Sequence, residues 1–446
     1  MQNDVPPEPR WDPARFPPAA RRSRILQTAL FNRDPLGELA RAQERHGSVF
    51  SLRLYPYQAM ICATDPGTNR EVLTDSARFA AGAAAQLLEP IVGGHSLILT
   101  PAPEHSRNRK LLMPPFHGSK IARWSDRIET LVDQHLPELI GTSAVAVRPW
   151  AQRLTLDVIL HVVFGVSDRA RSTEYRESVD NVMSPALLPL LFAPPAIRRD
   201  LGRLSPGGVF ARRRAAFDAL IDEEITRRRA DPAADQHDDV LSVLLGARDE
   251  QGVGFTDAQL RDELKGLVVA GHETTATALA WTFHLLAHHP AARDHLVDDL
   301  AAGSNDVLRA TIKESMRLRS PVIDAVRIAT QDTVLGAHPV PAGAYVSAMF
   351  CGMHQDPDLW PDPQQFRPER HLGDKADAYA LTPFGGGARR CVGAALAQLE
   401  LEVVLRSVLA RAQPAPDGDP EPARLLGVTL VPSAGGRVRM IPRQPR

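Results

Sequence analysis

The 446-residue chain has few cysteines, almost no net charge and no long apolar run. Its three cysteines, Cys62, Cys351 and Cys391, are too few and too scattered for a disulfide framework, and none has CxxC spacing. This pattern predicts a reducing, cytoplasmic compartment. The 52 basic side chains nearly balance the 53 acidic ones, which excludes a globally basic nucleic-acid-binding surface. The longest apolar stretch, residues 186–197, contains three prolines and is too short to span a bilayer, and the N-terminus has no apolar signal-peptide core.

The composition is that of a folded globular protein, with 43% apolar and 24% charged residues. Residues 1–20 contain six prolines and predict an extended, poorly ordered lead-in. We expect residues 21–446 to form a single domain with a core large enough to enclose a pocket.

Apolar periodicity predicts helices through the middle of the chain and strands near both ends. One helix is expected to begin near Pro35, followed by a pair of strands over residues 48–64. The longest predicted helix runs from Thr256 to about His289, and another follows Gly393. Residues 427–442 predict a final hairpin. Together these elements indicate an α+β fold that is mostly α-helical, with small β-sheets near both chain ends.

The segment with the most specific chemistry surrounds Cys391. Three consecutive glycines, residues 385–387, allow the backbone to approach a flat ligand and leave N–H groups free to point at the sulfur. Two arginines and the start of the following helix favour a thiolate over a thiol. Cys62 and Cys351 each end a strand-like run and are predicted to be core residues, which is the usual place of a cysteine without such surroundings.

Five positions of this segment match the pattern FxxGxRxCxG, and the match resembles the haem-binding signature of the cytochrome P450 family. These positions are Phe384, Gly387, Arg389, Cys391 and Gly393. The resemblance extends from about Pro35 to Met440. It implies the P450 fold, with residues 21–446 as one catalytic domain. It also implies haem b (Fe-protoporphyrin IX) as the cofactor, with Cys391 as the only protein ligand of the iron.

A second motif of the same family, ExxR, is matched by Glu314 and Arg317. Alone, such a pair also occurs on helix surfaces, where it contributes only a few tenths of a kcal/mol. Its place on the last predicted helix before the strand-rich region, and the later segment Phe366–Arg370, agree with the family pattern. The resemblance implies a buried ion network of Glu314, Arg317 and Arg370 whose role is structural.

The long predicted helix carries Ala270-Gly271-His272-Glu273-Thr274-Thr275, which resembles the family's [AG]-G-x-[DE]-T-[TS] motif. An ordinary helix whose threonine bonds a carbonyl one turn earlier would contain the same residues. The resemblance implies that Ala270 and Gly271 border the haem and that the helix bulges there. It makes Thr274 and Glu273 the catalytic residues, because a hydroxyl beside the bound oxygen and a proton relay are what oxygen cleavage requires.

The haem propionates would be bound by four basic side chains in this resemblance. His105 and Arg109 are at i and i+4, on one side of a predicted helix. Arg327 is ten residues after Arg317, where the family has an arginine at the start of a strand, and Arg389 belongs to the cysteine segment. On the residues alone, a histidine near an arginine is also an ordinary surface pair.

Apolar residues that match the family's pocket predict a lipophilic substrate of terpenoid, fatty acyl or polyketide type, to be hydroxylated or epoxidised. They are Leu87, Leu88, Ile91, Leu97, Leu267, Ala270, Val322, Ile323, Ala325 and Val326. Residues 185–195 are strongly apolar and match the family's access lid. Asp324 is an acid within this lining and either anchors a basic or hydroxylated group or turns to solvent. Abundant Pro, Ala and Arg suggest a bacterial secondary-metabolism enzyme.

The chain has no cysteine cluster and no G-x-G-x-x-G after a strand, so it carries no flavin or iron–sulfur segment of its own. Electrons are therefore expected from a ferredoxin or flavodoxin and its NAD(P)H-dependent reductase. Arg107, Lys110 and Arg390 either form a basic docking patch for that partner or are scattered surface charges. We expect a monomer with no membrane span and no nucleic-acid partner.

Two other functions stay open at this point. One is a haem-thiolate enzyme that uses peroxide or catalyses a rearrangement without external electrons, which the Glu273–Thr274 pair disfavours. The other is a catalytically inert haem-binding or sensing protein, which the intact motifs disfavour.

Overall fold

The computed structural model describes residues 5–141, 143–184, 187, 190, 193, 198–233, 236–373 and 378–443. Helices predominate over strands, as the sequence predicts. The helices are α1 Arg24–Arg33, α2 Pro35–His46, α3 Pro66–Thr74, α4 Glu89–Val92, α5 Glu104–Leu112, α6 Ser119–Ala122, α7 Ser125–Leu139, α8 Val147–Phe164, α9 Arg169–Val182, α10 Pro206–Ala230, α11 Val240–Gly246, α12 Asp257–His288, α13 Pro290–Ala301, α14 Asp306–Leu318, α15 Phe350–Met353 and α16 Ala394–Arg411.

The strands are short and lie toward the two ends of the chain. They are β1 Val49–Leu52, β2 Met60–Ala63, β3 Phe79–Ala80, β4 Ala144–Ala146, β5 Ala325–Ala329, β6 Thr333–Leu335, β7 His338–Val340, β8 Tyr345–Ala348, β9 Ala412–Pro416, β10 Ala423–Leu426, β11 Thr429–Pro432 and β12 Arg437–Pro442. The predicted pair over residues 48–64 is β1 and β2, which are antiparallel.

The chain forms two compact units. The sheet unit comprises Met1–Ala81, Ser125–Gln152 and Thr274–Arg446, and the helical unit comprises Gly82–Trp124 and Arg153–Glu273. All strands found in the described residues belong to the sheet unit.

The largest sheet has the strand order β1-β2-β8-β5-β3, and only the β2–β8 pair is parallel. Because side chains alternate between the faces of a strand, the sheet covers two apolar cores. Ile61 and Val346 belong to one core, whereas the neighbouring Cys62 packs in the other with Phe50 and Cys351. Both cysteines are buried, which confirms that they are core residues.

Two expectations about the chain ends are wrong. From residue 5 onward, where the structure describes it, the proline-rich segment is packed and not poorly ordered: Phe16 is buried in the first core, and Pro18 accepts a hydrogen bond from the Ser51 N–H. The free energy gained by burying this aromatic ring outweighs the conformational entropy that is lost when the segment becomes ordered. At the other end, β11 pairs with β10 while β12 pairs with β9 and β4, so residues 427–442 do not form one hairpin.

Candidate functional site

The cysteine loop belongs to the sheet unit, and its glycines are required by its backbone. Gly385 and Gly387 have φ of 68° and 62°, in the left-handed region that favours glycine. A Cβ at Gly387 would lie only 2.4 Å from the carbonyl oxygen of Leu73. The Cys391 N–H donates to the carbonyl of Phe384 at 2.9 Å, which closes the turn. The structure thus brings the predicted loop residues into one compact turn that ends at Gly393, before α16.

Cys391 differs from the other two cysteines in its surroundings. Its side chain is exposed, whereas burial raises the pKa of both Cys62 and Cys351. The thiol lies near the N-terminus of α16, where the helix dipole favours a thiolate. An accessible thiol at the start of α16, with half-buried Arg389 two residues away as a cation for a carboxylate, is a donor set that fits haem.

Glu314 and Arg317 lie on α14, and both side chains are completely buried. The guanidinium donates from Nε and Nη2 to the two carboxylate oxygens at 2.8 and 2.9 Å. Arg370 donates to Glu314 Oε1 at 3.0 Å from the 3₁₀ turn Pro368–His371. The structure therefore brings all three residues of the predicted network together, in the interior and not on the surface.

Two histidines that the sequence reasoning missed extend this network. His371 Nε2 lies 2.9 Å from Glu314 Oε2, and its position directly after Arg370 was the available signal. The carbonyl of His354 accepts from Arg317 Nη1 at 2.6 Å, and its Nε2 accepts from the Thr382 N–H at 3.2 Å. Burial lowers the pKa of His354 to about 3, so its ring is neutral and Nε2 can accept. These bonds connect α14 to the segment that leads into the cysteine loop.

Helix α12 is nearly as long as predicted, and a stripe in its middle remains accessible. Leu264 and Leu279 are fully buried, whereas Leu267 and Thr274 are half-buried and Ala270 is exposed. The last three residues are spaced by three and four positions, so they lie on one face of the helix. A small apolar face of this kind, ending at a hydroxyl, leaves room for a ligand beside the helix.

The structure does not show the predicted helix bulge at Gly271. Helix α12 is one continuous α-helix from Asp257 to His288. A Cβ at Gly271 would lie 2.8 Å from Ile159 Cδ1 on α8, and the carbonyl of His272 accepts from Thr155 Oγ1 at 3.0 Å. Close packing between α12 and α8 therefore accounts for the glycine at this position. Half-buried Glu273 follows on the same helix.

The four predicted propionate ligands are divided between the two units. In the helical unit, His105 is buried and Arg109 is half-buried, and both lie on α5 as expected. In the sheet unit, Arg327 lies on β5 and Arg389 in the turn Gly387–Arg389. Burial lowers the pKa of Arg327 to about 10, against the effect of Asp324, so this guanidinium is still charged at neutral pH.

The predicted pocket residues fall into two groups. Leu87, Leu88, Val322, Ala325 and Val326 keep accessible surface, as Leu267 and Ala270 do. Ile91, Leu97 and Ile323 are buried. Ile323 packs in the second core, because the chain enters that core just before β5.

Asp324 and the predicted lid complete the description of the pocket residues. The Asp324 carboxylate accepts the Ser347 hydroxyl at 2.7 Å, and burial raises its pKa, so the acid does not turn to bulk solvent. Of the predicted lid, only residues 187, 190 and 193 belong to the described part of the chain; the rest of 185–195 lies outside it.

The candidate docking patch is less basic than its sequence suggests. Arg107 Nε lies 2.5 Å from Asp249 Oδ2, and Lys110 lies 3.4 Å from Glu250, so both cations have acidic neighbours. Of these three side chains, exposed Arg390 is the one that forms no ion pair with another described residue. In the described part of the chain, no helix combines the length and apolarity that crossing a bilayer requires.

Comparison with known proteins identifies the family. The sequence profile of the Cytochrome P450 family matches residues 16–438. The putative cytochrome P450 135B1 of Mycobacterium tuberculosis is 35% identical over 436 residues, which cover 95% of this chain and 91% of that protein. The putative cytochrome P450 138 of the same organism is 34% identical over 443 residues, or 99% of each chain.

Solved structures show the same fold. A retinoic acid-bound cyanobacterial CYP120A1 superimposes with a TM-score of 0.83 at 23% identity, over 96% of this chain and all of that one. The haem domain of cytochrome P450DA superimposes with a TM-score of 0.82 at 23% identity, over 99% of both chains. The expected P450 fold is confirmed. The chain therefore belongs to the cytochrome P450 family: it is a haem-thiolate monooxygenase that binds haem b, uses O2 and a substrate, and receives electrons from a redox partner.

Proposed function

We propose that this enzyme inserts one oxygen atom from O2 into a C–H or C=C bond of a lipophilic small molecule of terpenoid, fatty acyl or polyketide type, within bacterial secondary metabolism. The observation that carries this proposal is the accessible stripe of α12. Leu267 and Ala270 present an apolar surface there, and the stripe ends at the Thr274 hydroxyl. An apolar face with one polar group at its end suits an apolar substrate that reacts at a single place.

Cys391 would hold the haem iron through its sulfur, because its thiol is accessible and lies at the start of α16, where a thiolate is favoured. Haem with a thiolate ligand supplies the reduction and cleavage of O2. His105, Arg109, Arg327 and Arg389 would bind the two propionates, since basic and donor side chains pair with carboxylates. The network of Glu314, Arg317 and Arg370 holds the segment before the cysteine loop in place. Phe384, Gly387 and Gly393 shape the loop itself.

Thr274 and Glu273 are proposed to manage protons. The Thr274 hydroxyl can donate a hydrogen bond toward the ligand side of α12 and take a proton from its other neighbours. Glu273 is half-buried, so its carboxylate can exchange protons with water and pass them toward Thr274. Ala270 keeps the intervening surface small. Gly271 acts through helix packing against Ile159.

Electrons are proposed to come from a ferredoxin or flavodoxin with its NAD(P)H-dependent reductase. The chain itself contains no cysteine cluster that could hold an iron–sulfur centre. Arg390 is the remaining candidate for contact with such an acidic partner, because Arg107 and Lys110 already have acidic neighbours.

The test uses the holoenzyme with lauric acid and geraniol as probes. We expect one or both to shift the haem Soret band and to be oxidised with NADPH, ferredoxin reductase and ferredoxin. Equal turnover with hydrogen peroxide alone would favour the peroxide-using alternative. A Soret band that neither probe moves, with no oxidised product from either, would overturn the lipophilic assignment.

A further inference from the structure

Residues 93–99 of the helical unit, which we call the docked loop, connect α4 to the approach of α5. Two backbone N–H groups of this loop donate to neighbouring acids on α12. The His95 N–H donates to Asp262 Oδ2 at 3.0 Å, and the Leu97 N–H donates to Glu263 Oε2 at 2.9 Å. Both acids are buried, with 4% and 2% of their surface exposed. Side-chain acceptors of α12 therefore hold the loop against the helix, in addition to backbone hydrogen bonds within the loop such as that from the Leu99 N–H to the Ser96 carbonyl.

The close approach of the docked loop to α12 requires glycine on both sides. A Cβ at Gly266 would lie 2.9 Å from Ser96 Oγ. A Cβ at Gly93, whose φ is 86°, would overlap the carboxylate of Asp262. The position of the loop against the helix is thus defined by contact as well as by hydrogen bonds.

The two acids have different electrostatic surroundings. Asp262 has Lys265 Nζ 3.3 Å away, and this buried lysine also lies 2.6 Å from Asp218 of α10. Glu263 has no cation partner among the described residues, and its Oε1 is buried without a hydrogen bond there. Burial raises the pKa of Glu263 to about 8, so the side chain is mostly a neutral acid at pH 7.

A buried carboxyl is an expensive way to fill space, because burying a polar group costs free energy unless it is hydrogen-bonded. An apolar side chain would fill the same volume without that cost. What Glu263 adds is an acceptor at one fixed place for the Leu97 N–H. The need to hold the loop therefore explains why position 263 carries an acid. The packing of the helix alone does not require one.

Buried Glu263, which holds the Leu97 N–H, lies on the same face of α12 as the accessible stripe. Leu267 and Ala270 are four and seven residues after Glu263, so all three lie on one face of the helix. One helical turn is about 5.4 Å, so the docked loop borders the N-terminal end of the accessible stripe. Ile98, the exposed apolar residue of the loop, is next to the anchored Leu97.

We propose that Asp262 and Glu263 are positioning residues that place the docked loop, with Ile98, as the end wall of the substrate pocket and so set the size of the substrate. The inference rests on the proposed function, in which the stripe of α12 borders the substrate. The acids do not touch the substrate; they act through the backbone of residues 95 and 97.

The test measures binding of two azoles of different size to the holoenzyme, by the shift of the Soret band. Imidazole needs little room, whereas 4-phenylimidazole needs the pocket wall in place. Glu263→Met removes the acceptor at similar volume, and we expect it to weaken 4-phenylimidazole about tenfold, which corresponds to about 1.4 kcal/mol. Imidazole should change by less than about twofold, since a displaced wall does not affect it.

Two further variants and one control keep the result interpretable. Glu263→Gln retains an acceptor and should restore 4-phenylimidazole affinity to within about threefold of wild type. Gly266→Ala pushes Ser96 away without touching either acid, and it should show the same selective loss even if Glu263→Met fails to fold. The control is Asp257→Asn, an exposed acid at the start of α12 that pairs with Arg229 at 2.5 Å; it should leave both affinities unchanged.

The possible failures are distinguishable. Equal weakening of both azoles in Glu263→Met and Gly266→Ala would show a general structural role and overturn the positioning role. Unchanged affinities in both variants would overturn it as well. A wild-type enzyme in which imidazole shifts the Soret band but 4-phenylimidazole does not bind would contradict the proposed pocket itself, and the inference would fail with it.

Discussion

Replacement of Glu314 by glutamine tests the interior network most directly. The carboxylate is fully buried and accepts from Arg317, Arg370 and the Arg367 N–H, with His371 at 2.9 Å. Glu314→Gln keeps the shape of the side chain but removes its charge, and the new amide NH2 group faces donors. Buried Arg317 would then lack its counter-charge.

The size of the effect follows from the pKa of Glu314. Burial alone would raise it, but the hydrogen bonds from Arg317 and His371 outweigh burial and lower the pKa from 4.5 to about 2. Each pKa unit corresponds to about 1.4 kcal/mol, so this fall amounts to about 3 kcal/mol of stability. Removing one partner of a buried ion pair costs about 3–5 kcal/mol in other proteins. We therefore expect Glu314→Gln to lower the free energy of unfolding by about 3–5 kcal/mol at pH 7.

The same shift predicts a pH dependence with a definite sign. Because the pKa of Glu314 is lower in the folded enzyme, its contribution is complete above pH 4.5 and is lost as the pH falls toward about 2. The wild type should lose this share of stability across that window. Glu314→Gln should lack it, so the difference between the two proteins should shrink with acidification.

The assay is urea unfolding of the holoenzyme, followed by far-UV circular dichroism and by the Soret band, at several pH values. Glu369→Gln is the matched control, because this acid is half exposed and its one ion pair among the described residues is with exposed His295, at 3.4 Å. We expect the control to change stability by less than about 0.5 kcal/mol. A Glu314→Gln protein that is as stable as the control at pH 7, or whose loss of stability does not shrink in acid, would refute a stabilising role of the buried carboxylate.

Three further predictions concern the haem and the proton relay. Cys391→Ala should abolish the strongly red-shifted Soret band of the reduced carbon-monoxide complex, and Cys351→Ala should keep it; the reverse result would reassign the ligand. Thr274→Ala should bind haem and lauric acid normally but form less product and more hydrogen peroxide per NADPH, and unchanged coupling would remove Thr274 from the proton path. Gly387→Ala should destabilise the holoenzyme, in thermal unfolding, by more than the roughly 1 kcal/mol expected of Gly303→Ala. Both glycines have positive φ, but of the two only Gly387 would place a Cβ 2.4 Å from a carbonyl oxygen. Equal losses of stability would contradict this clash.

Local features of this protein were predictable from the sequence. The long helix α12 follows from sustained helical periodicity, and the cysteine loop follows from three glycines, two arginines and a helix start in immediate succession. The spacing of Glu314 and Arg317 predicts that they meet, because three residues complete nearly one helical turn. Each of these inferences depends only on neighbours within about one turn or one loop.

Features that depend on distant segments were decided by the tertiary structure. Strand β12 pairs with β9 and β4 and not with its neighbour β11. The local pattern of β12 does not show which distant strand it will pair with. His354 joins the Glu314 network from 40 residues away, and no local pattern marks that contact. The attachment of residues 95 and 97 to Asp262 and Glu263 bridges more than 160 positions. Burial has the same origin: which acid is neutral and which cysteine is accessible depends on the surface that other segments cover, and that surface exists only after the chain has folded.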